Sequence, residues 1–178
     1  MGDLNKLIAM IKEIGFKPNI DRFQDRLVIQ KLVYLLKLSG IDLGYSFSLY
    51  ARGPYSPDLT RDLYEHEDLL LNLRTNCRLQ KKEVEKLDAI FNLSSKLDTS
   101  MLEIMSTYLY FAKECNLNEK EALTNLKKIK PFYSDVKIVI GVSRAKQLFL
   151  SLTEKDISEI KKELNEWEEI AVEDQKGN

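Results

Sequence analysis

The side chains that most often carry catalysis are sparse in this chain. His66 is the only histidine among 178 residues, and it stands beside Glu65, Glu67 and Asp68 in a helical stretch. Serine and cysteine triads, like the zinc helix with two histidines, need groups that this sequence does not offer. We therefore interpret His66 as a solvated side chain, and we predict no catalytic residue and no enzyme.

Metal and cofactor sites are not predicted either. Cys77 and Cys115 are far apart in the sequence and lack the paired spacing of a zinc knuckle or a redox motif, so we interpret both as buried structural thiols. Gly141 is isolated, and Lys146 does not stand in a phosphate-loop pattern. Two distant cysteines also make a secreted disulfide framework improbable, so the sequence favours a reducing, cytoplasmic location.

The most distinctive segment is the run from Tyr50 to Leu59, Tyr-Ala-Arg-Gly-Pro-Tyr-Ser-Pro-Asp-Leu. Gly53 is free to take unusual backbone angles, and the residues before the two prolines are pushed towards extended geometry. The pattern predicts a rigid turn from a strand into a helix, with Arg52, Tyr55 and Ser56 aimed in set directions. We call residues 50–56 the elbow.

The elbow has two interpretations. It turns the chain only, or it presents Arg52 and the tyrosines Tyr50 and Tyr55 to a partner protein, since arginine and tyrosine supply many strong interface anchors. A third hypothesis joins Gln30, Lys31, Tyr34, Arg52 and Tyr55 into a polar cluster that could hold an anion such as a nucleotide phosphate. No general base is evident beside that cluster.

Charge is uneven along a chain whose formal net charge is -1. Between residues 120 and 147, seven basic residues stand against two acidic ones, and from residue 153 to the end nine acidic residues stand against four basic ones. The basic stretch could contact nucleic-acid phosphates or pair with the acidic terminal segment. Its candidate phosphate contacts are Lys127, Lys128, Lys130, Lys137, Arg144 and Lys146.

Composition indicates a folded, mostly helical protein. Hydrophobic residues make up 44% of the chain and charged residues 31%, which is the balance of a globular domain. Seven glycines and four prolines are few for a sheet-rich fold. We predict one domain over residues 1–172 and a polar tail over residues 173–178.

Helical periodicity and capping patterns set the predicted helices. The first covers residues 4–14, and the second, over residues 21–39, is apolar around most of its later circumference and should be central to the core. Ser56 should open a third helix that runs to about residue 68. Capping boxes at Ser100 and Asn118, and the cap at Thr153, should open further helices. Residues 135–152 are interpreted as a helix, although Ile138-Val139-Ile140 favours a strand.

Alternating apolar and polar residues over 45–50 and again over 70–79 predict two strands. The predicted fold class is therefore α+β, predominantly α-helical, with a small antiparallel sheet. The longest apolar stretch, Leu32 to Leu36, is far shorter than the roughly 20 residues of a membrane-spanning helix, so no membrane partner is predicted.

Residues 23–64 carry a family resemblance. The matching run is Arg26-Leu-Val-Ile-Gln30-Lys31-Leu32-Val-Tyr34-Leu-Leu36, then Gly40, then Tyr50 to Ser56, then Leu59 and Asp62-Leu63. It resembles the YwgA-like proteins and, through them, the wider Panacea group of SocA-like antitoxins. This sequence has Gly-Pro-Tyr-Ser, as in the YwgA-like branch, where antitoxin members more often have Gly-Pro-Val.

The resemblance implies a mostly helical domain that binds other proteins. Its signature positions here would be Gln30, Lys31, Tyr34, Gly53, Pro54 and Ser56. In the antitoxin branch such a domain neutralises toxins by direct complex formation, and one branch serves as a proteolytic adaptor. The leading hypothesis is thus a non-enzymatic interaction module, antitoxin-like or regulatory, that binds a toxin or regulatory target through the part of the elbow from Arg52 to Ser56 and nearby helix faces.

Overall fold

The computed structural model describes residues 2–149 together with residues 162 and 165. Helices account for most of this part, joined by one two-stranded sheet, so the fold is predominantly α-helical α+β, as predicted. The elements in chain order are α1 (Leu4–Glu13), α2 (Phe23–Leu38), β1 (Ser48–Tyr50), β2 (Gly53–Tyr55), α3 (Pro57–Glu65), α4 (Glu67–Leu71), α5 (Lys81–Leu93), α6 (Thr99–Leu109), a π-helical turn (Tyr110–Glu114), α7 (Glu119–Ile129) and α8 (Asp135–Phe149).

Two buried helices form the centre of the molecule. Every residue of α2 from Leu27 to Leu36 is buried, and so is every residue of α6 from Met101 to Leu109. The two helices pack against each other, α5 packs on α2, and α8 packs on α6. A helix that is buried around its whole circumference must place any polar side chain against a partner group, which determines the chemistry of the site described below.

The sheet is a tight hairpin. Ser48 pairs with Tyr55, Leu49 with Pro54, and Tyr50 with Gly53, which leaves Ala51 and Arg52 in the turn. Gly53 has a φ of +88°, a conformation that favours glycine. Ser56 follows as the N-cap of α3 and accepts a hydrogen bond from the Leu59 amide at 3.3 Å, and Pro57 occupies the first turn.

The predicted strands need correction. The first is shorter than predicted, Ser48–Tyr50 instead of 45–50, and Tyr45 is a buried loop residue whose hydroxyl donates to Asp62 at 2.9 Å. The stretch 70–79 is not a strand: α4 ends at Leu71, a turn follows at residues 72–73, and residues 74–79 have no regular secondary structure. Its residues alternate between half-buried and exposed, and Thr75 donates to the carbonyl of Asn5. The alternation therefore arises because one side of this segment faces α1, and no strand among the described residues pairs with it.

Most predicted helix boundaries are confirmed, with two differences. The capping box of Asn118 and Glu121 opens α7 as predicted, and residues 135–149 are helical. The third helix ends at Glu65, and α4 continues after a break at His66. The cap of α6 is Asp98, which accepts from the Met101 amide, so the predicted box at Ser100 is wrong.

Two further predictions concern the ends of the chain and the membrane. The predicted terminal helix from Thr153 and the polar tail lie outside the described residues, except that Lys162 and Asn165 are helical and exposed. Within the described part of the chain, no helix has the length and apolar character to cross a membrane.

Substitution of Gly53 by alanine should be costly. An added Cβ would lie 2.2 Å from Thr107 Oγ1, and the backbone would keep its positive φ. We expect Gly53→Ala to lower the free energy of unfolding by about 3 kcal/mol. Gly15→Ala is the matched control, since Gly15 has a φ of +66° but nothing within 4 Å of an added Cβ, so only about 1 kcal/mol should be lost. Equal losses in urea denaturation would contradict the proposed close contact.

Candidate functional site

Gln30 connects the buried face of α2 to the elbow. Its Nε2 donates to the carbonyl of Ser56 at 2.9 Å and to Thr60 Oγ1 at 2.9 Å, and its Oε1 accepts from the Ser56 amide at 2.9 Å. Ser56 itself is fully buried. Both backbone groups of Ser56 thus bond to one side chain, which fixes the junction between β2 and α3.

Lys31, the next residue of α2, lies against the other half of the elbow. Its side chain is 1% exposed, and its Nζ donates to the carbonyl of Pro54 at 2.6 Å. Burial lowers the pKa of Lys31 to about 7, and the nearby cations Lys130 and Arg52 act in the same direction, while Glu103 opposes them. The Lys31 amine therefore exchanges between its neutral and protonated forms near pH 7.

Glu103 of α6 is the acidic centre beneath the elbow turn. Its carboxylate, 1% exposed, accepts from Lys130 Nζ at 2.9 Å and from the Tyr133 hydroxyl at 3.1 Å, and Arg52 Nη1 lies 3.5 Å away. Lys130 also donates to the carbonyl of Ala51 at 3.2 Å. Burial lowers the pKa of Lys130, and the hydrogen bond with Glu103 opposes that effect. Burial, followed by Glu103, raises the pKa of Tyr133.

Two buried hydroxyls complete the interior of this region. Thr107 Oγ1 faces Gly53, and neither it nor the hydroxyl of Tyr34 has a hydrogen-bond partner among the described residues. Tyr34 is fully buried, lies edge-on to Phe47 with ring centroids 5.3 Å apart, and has its pKa raised by burial. Its ring is therefore part of the core and does not line the surface at the elbow.

A groove of about 430 Å³ opens beside the elbow. It lies between the start of α2, the hairpin and α3. Its walls are mostly aromatic and apolar, and none of the described residues that line it carries a carboxylate. The lining residues are Phe23, Arg26, Leu27, Gln30, Lys31, Tyr50, Ala51, Arg52, Gly53, Tyr55, Thr60 and Tyr64. A larger concavity of about 510 Å³ beside Asn5 and Arg74 has no aromatic lining residue.

Exposed aromatic rings border this groove. Phe23, Tyr50 and Tyr64 are each about half exposed, and Tyr50 lies edge-on to Tyr55 with centroids 5.0 Å apart. The Arg26 guanidinium lies 5.9 Å from the Phe23 ring and 5.5 Å from the Tyr64 ring. Cation–π contacts of this kind hold rings and guanidinium in a fixed arrangement.

Arg52, in the turn of the hairpin, extends the same surface. Its side chain is 54% exposed, and its guanidinium lies 5.7 Å from the ring of Phe132, which is itself exposed. The predicted elbow residues thus fall into two groups. Gly53, Pro54 and Ser56 are buried and structural, whereas Tyr50 and Arg52 are exposed and Tyr55 is half-buried.

The basic stretch is engaged largely within the protein. Lys127 pairs with Asp135 at 2.7 Å, Lys146 pairs with Glu119, and Arg144 bonds to Ser95. Lys137 lies over the Tyr133 ring, and Lys128 is exposed. The prediction of Lys130 as a phosphate contact is wrong, because its ammonium is fully buried against Glu103.

The remaining candidates for chemistry form no site. His66 is half-buried, and its Nδ1 lies 3.1 Å from the carbonyl of Asp62. Cys77 is half-buried and Cys115 is exposed, so the interpretation of both as buried thiols is wrong. Over the described ranges, no group of three or more histidine, cysteine or acidic side chains is placed to hold a metal ion.

Sequence reasoning missed Glu103, Thr107, Phe23, Arg26 and Tyr64. Glu103 is the fourth residue of the predicted capping box at Ser100, but its place inside the apolar run Met101 to Met105 is a signal that it faces the core. A carboxylate on the buried side of a helix needs a cation or donors, and Lys130 supplies one from a distant part of the chain.

Comparisons of this chain with protein-family models, with curated proteins and with solved structures give no match.

Lys130 and Arg52 both contact the Glu103 carboxylate, Lys130 from a buried position and Arg52 from an exposed one. Substituting each cation in turn should show which of the two contacts stabilises the fold. Lys130→Met leaves Glu103 buried without its closest cation, so we expect the free energy of unfolding to fall by about 3 kcal/mol. Arg52→Ala removes an exposed partner at longer range and should change stability by less than about 1 kcal/mol. Urea denaturation of both variants measures the free energy of unfolding. A larger decrease for Arg52→Ala than for Lys130→Met would refute the interpretation that the buried Lys130–Glu103 contact is the stabilising one.

Proposed function

We propose that the protein is a non-enzymatic binding module that captures a partner protein through the groove and the exposed side chains of the elbow. The observation that carries this proposal is the division of the elbow. Its backbone is bonded to buried side chains of α2 and to Lys130, while Tyr50 and Arg52 project to the surface.

Such a division suits recognition. Tyrosine and arginine provide large contact areas and several hydrogen bonds, and they are enriched among residues that dominate binding energy. A backbone that is already fixed before binding reduces the ordering cost of association. Exposed Phe23, Tyr64 and Phe132 extend the surface around the elbow, and exposed aromatic groups near one another are typical of interaction sites.

The resemblance to the YwgA-like and Panacea proteins supports a partner of the toxin or regulatory-target class. Its shared positions Gln30, Lys31, Gly53 and Ser56 all take part in holding the elbow here. A motif that encodes a supported turn is compatible with variable contact residues on that turn. We therefore propose an antitoxin-like or regulatory, cytoplasmic role, with the partner's identity left to experiment.

The test is affinity capture of the tagged protein from its own cell lysate, with and without nuclease. We expect one protein at near-equal amount with wild type, and loss of roughly nine-tenths of it with Tyr50→Ala or Arg52→Ala, as for hot-spot residues. The melting temperatures of these variants should stay close to that of wild type because both side chains are exposed.

Matched controls are Leu71→Ala and Arg78→Ala, two exposed residues that do not line the groove. Both should retain full capture. Equal loss with the controls, or full capture by Tyr50→Ala and Arg52→Ala, would refute the elbow as the binding surface. Recovery that disappears with nuclease would favour nucleic acid instead, and no protein partner at all would favour a small ligand in the groove.

A further inference from the structure

The groove has an excess of positive charge. Arg26, Lys31 and Arg52 line it, and none of the lining residues within the described part of the chain is acidic. Glu103, the carboxylate that Arg52 contacts, is buried and engaged with Lys130 and Tyr133. We propose that the groove recognises an acidic segment of the partner protein, with a carboxylate received by Arg52 at its rim and Lys31 at its floor. This inference rests on the proposed protein-binding function.

Arg52 has donors to spare for such a carboxylate. Its contact with Glu103 is long, at 3.5 Å, and its side chain is half exposed. A guanidinium carries five N–H donors and can bind a carboxylate with two parallel hydrogen bonds. Arg26 is different, because it already donates to the carbonyls of Ile20 and Asp21, so it contributes charge and an orienting contact for the rings.

Lys31 lies in a cluster of side chains with an excess of positive charge. Three cationic side chains, Lys31, Lys130 and Arg52, surround one carboxylate, Glu103, so the cluster lacks negative charge. The Nζ of Lys31 has one acceptor, the Pro54 carbonyl, for its three potential donors. A carboxylate entering the groove would supply the missing charge and favour the protonated amine.

The aromatic walls of the groove indicate which type of residue should stand next to the acidic residue in the partner segment. Tyr50, Tyr55, Phe23 and Tyr64 line the groove together with the cations and provide apolar faces. An acidic residue next to an aromatic or aliphatic one would place its carboxylate on Arg52 and its neighbour against these rings.

Carboxylate binding should be linked to the protonation of Lys31, so the affinity should depend on pH. The charged groups facing Lys31 are Glu103 from α6, Lys130 from the end of α7 and Arg52 from the elbow turn. In the free protein the pKa of Lys31 is about 7, and a bound carboxylate raises it. Binding above pH 7 therefore takes up a proton, so affinity should fall as pH rises, by up to about tenfold per pH unit.

Phenylacetate, a carboxylate attached to one aromatic ring, is the probe. Titration into wild-type protein carrying isotope-labelled lysine should shift the Lys31 Cε and Nζ resonances, with affinity decreasing from pH 7 to pH 9. Lys31→Gln assigns the resonances. Arg52→Ala should weaken binding by roughly tenfold because it removes the bidentate donor. Arg78→Ala is the charge-matched control and should not change it.

Two further probes separate the chemistry. Benzyl alcohol has the ring without the charge and should bind far more weakly, whereas phenyl phosphate should bind no better than phenylacetate. No shift of Lys31 with phenylacetate, affinity independent of pH, or tighter binding of phenyl phosphate would each overturn the acidic-segment assignment.

The two proposals fail in different ways. Probe binding without capture of any protein would leave the anion site standing and refute the proposed function. Capture that depends on Tyr50 and Arg52, without any probe binding, would leave the function standing and refute the acidic segment.

Discussion

The structure around the elbow depends on one constraint, which is that polar side chains buried with α2 and α6 need hydrogen-bond partners. Gln30, Lys31 and Glu103 stand on helices whose central turns are fully buried. An unpaired amide or ammonium there would be strongly unfavourable. Gln30 and Lys31 meet this need with backbone groups of the elbow, at Ser56 and Pro54.

The constraint works in both directions. The hairpin has only two short strands, and such an isolated hairpin is at best marginally stable in water. Its bonds to Gln30, Lys31 and Lys130 provide what its own ladder does not. Gly53 completes the fit, because its missing side chain lets the turn approach Thr107. The side chains of Tyr50 and Arg52 are left outside this arrangement, and that is the physical basis for proposing them as contacts.

Local patterns in the sequence predicted what local physics determines. The helical periodicity of α1 and α2, the box of Asn118 and Glu121, and the start of α3 at Ser56 all depend on residues within a few positions of one another. The elbow was predicted for the same reason, since glycine and proline restrict the chain where they stand.

Long-range partners were not accessible in that way. The alternation over 70–79 does not reveal that the neighbouring element is α1, where Thr75 bonds to the carbonyl of Asn5, and not another strand. Lys130 was interpreted as a surface cation because nothing near it in the sequence shows that Glu103, 27 residues earlier, lies beneath the turn. The groove is also a product of tertiary packing, because it joins the start of α2 to residues of the hairpin and α3.

The most direct test of this account is hydrogen exchange of the elbow amides in Lys31→Met. Methionine keeps an apolar chain of similar length but cannot bond to the Pro54 carbonyl. We expect the amides of residues 50–56, apart from Pro54, to exchange faster, on the order of tenfold, while α1 and α5 keep their protection, as for local opening. Lys12→Met, at an exposed lysine of α1, should leave the elbow unchanged. Unaltered elbow exchange in Lys31→Met, or an equal change throughout the protein, would contradict the claim that this buried lysine holds the elbow.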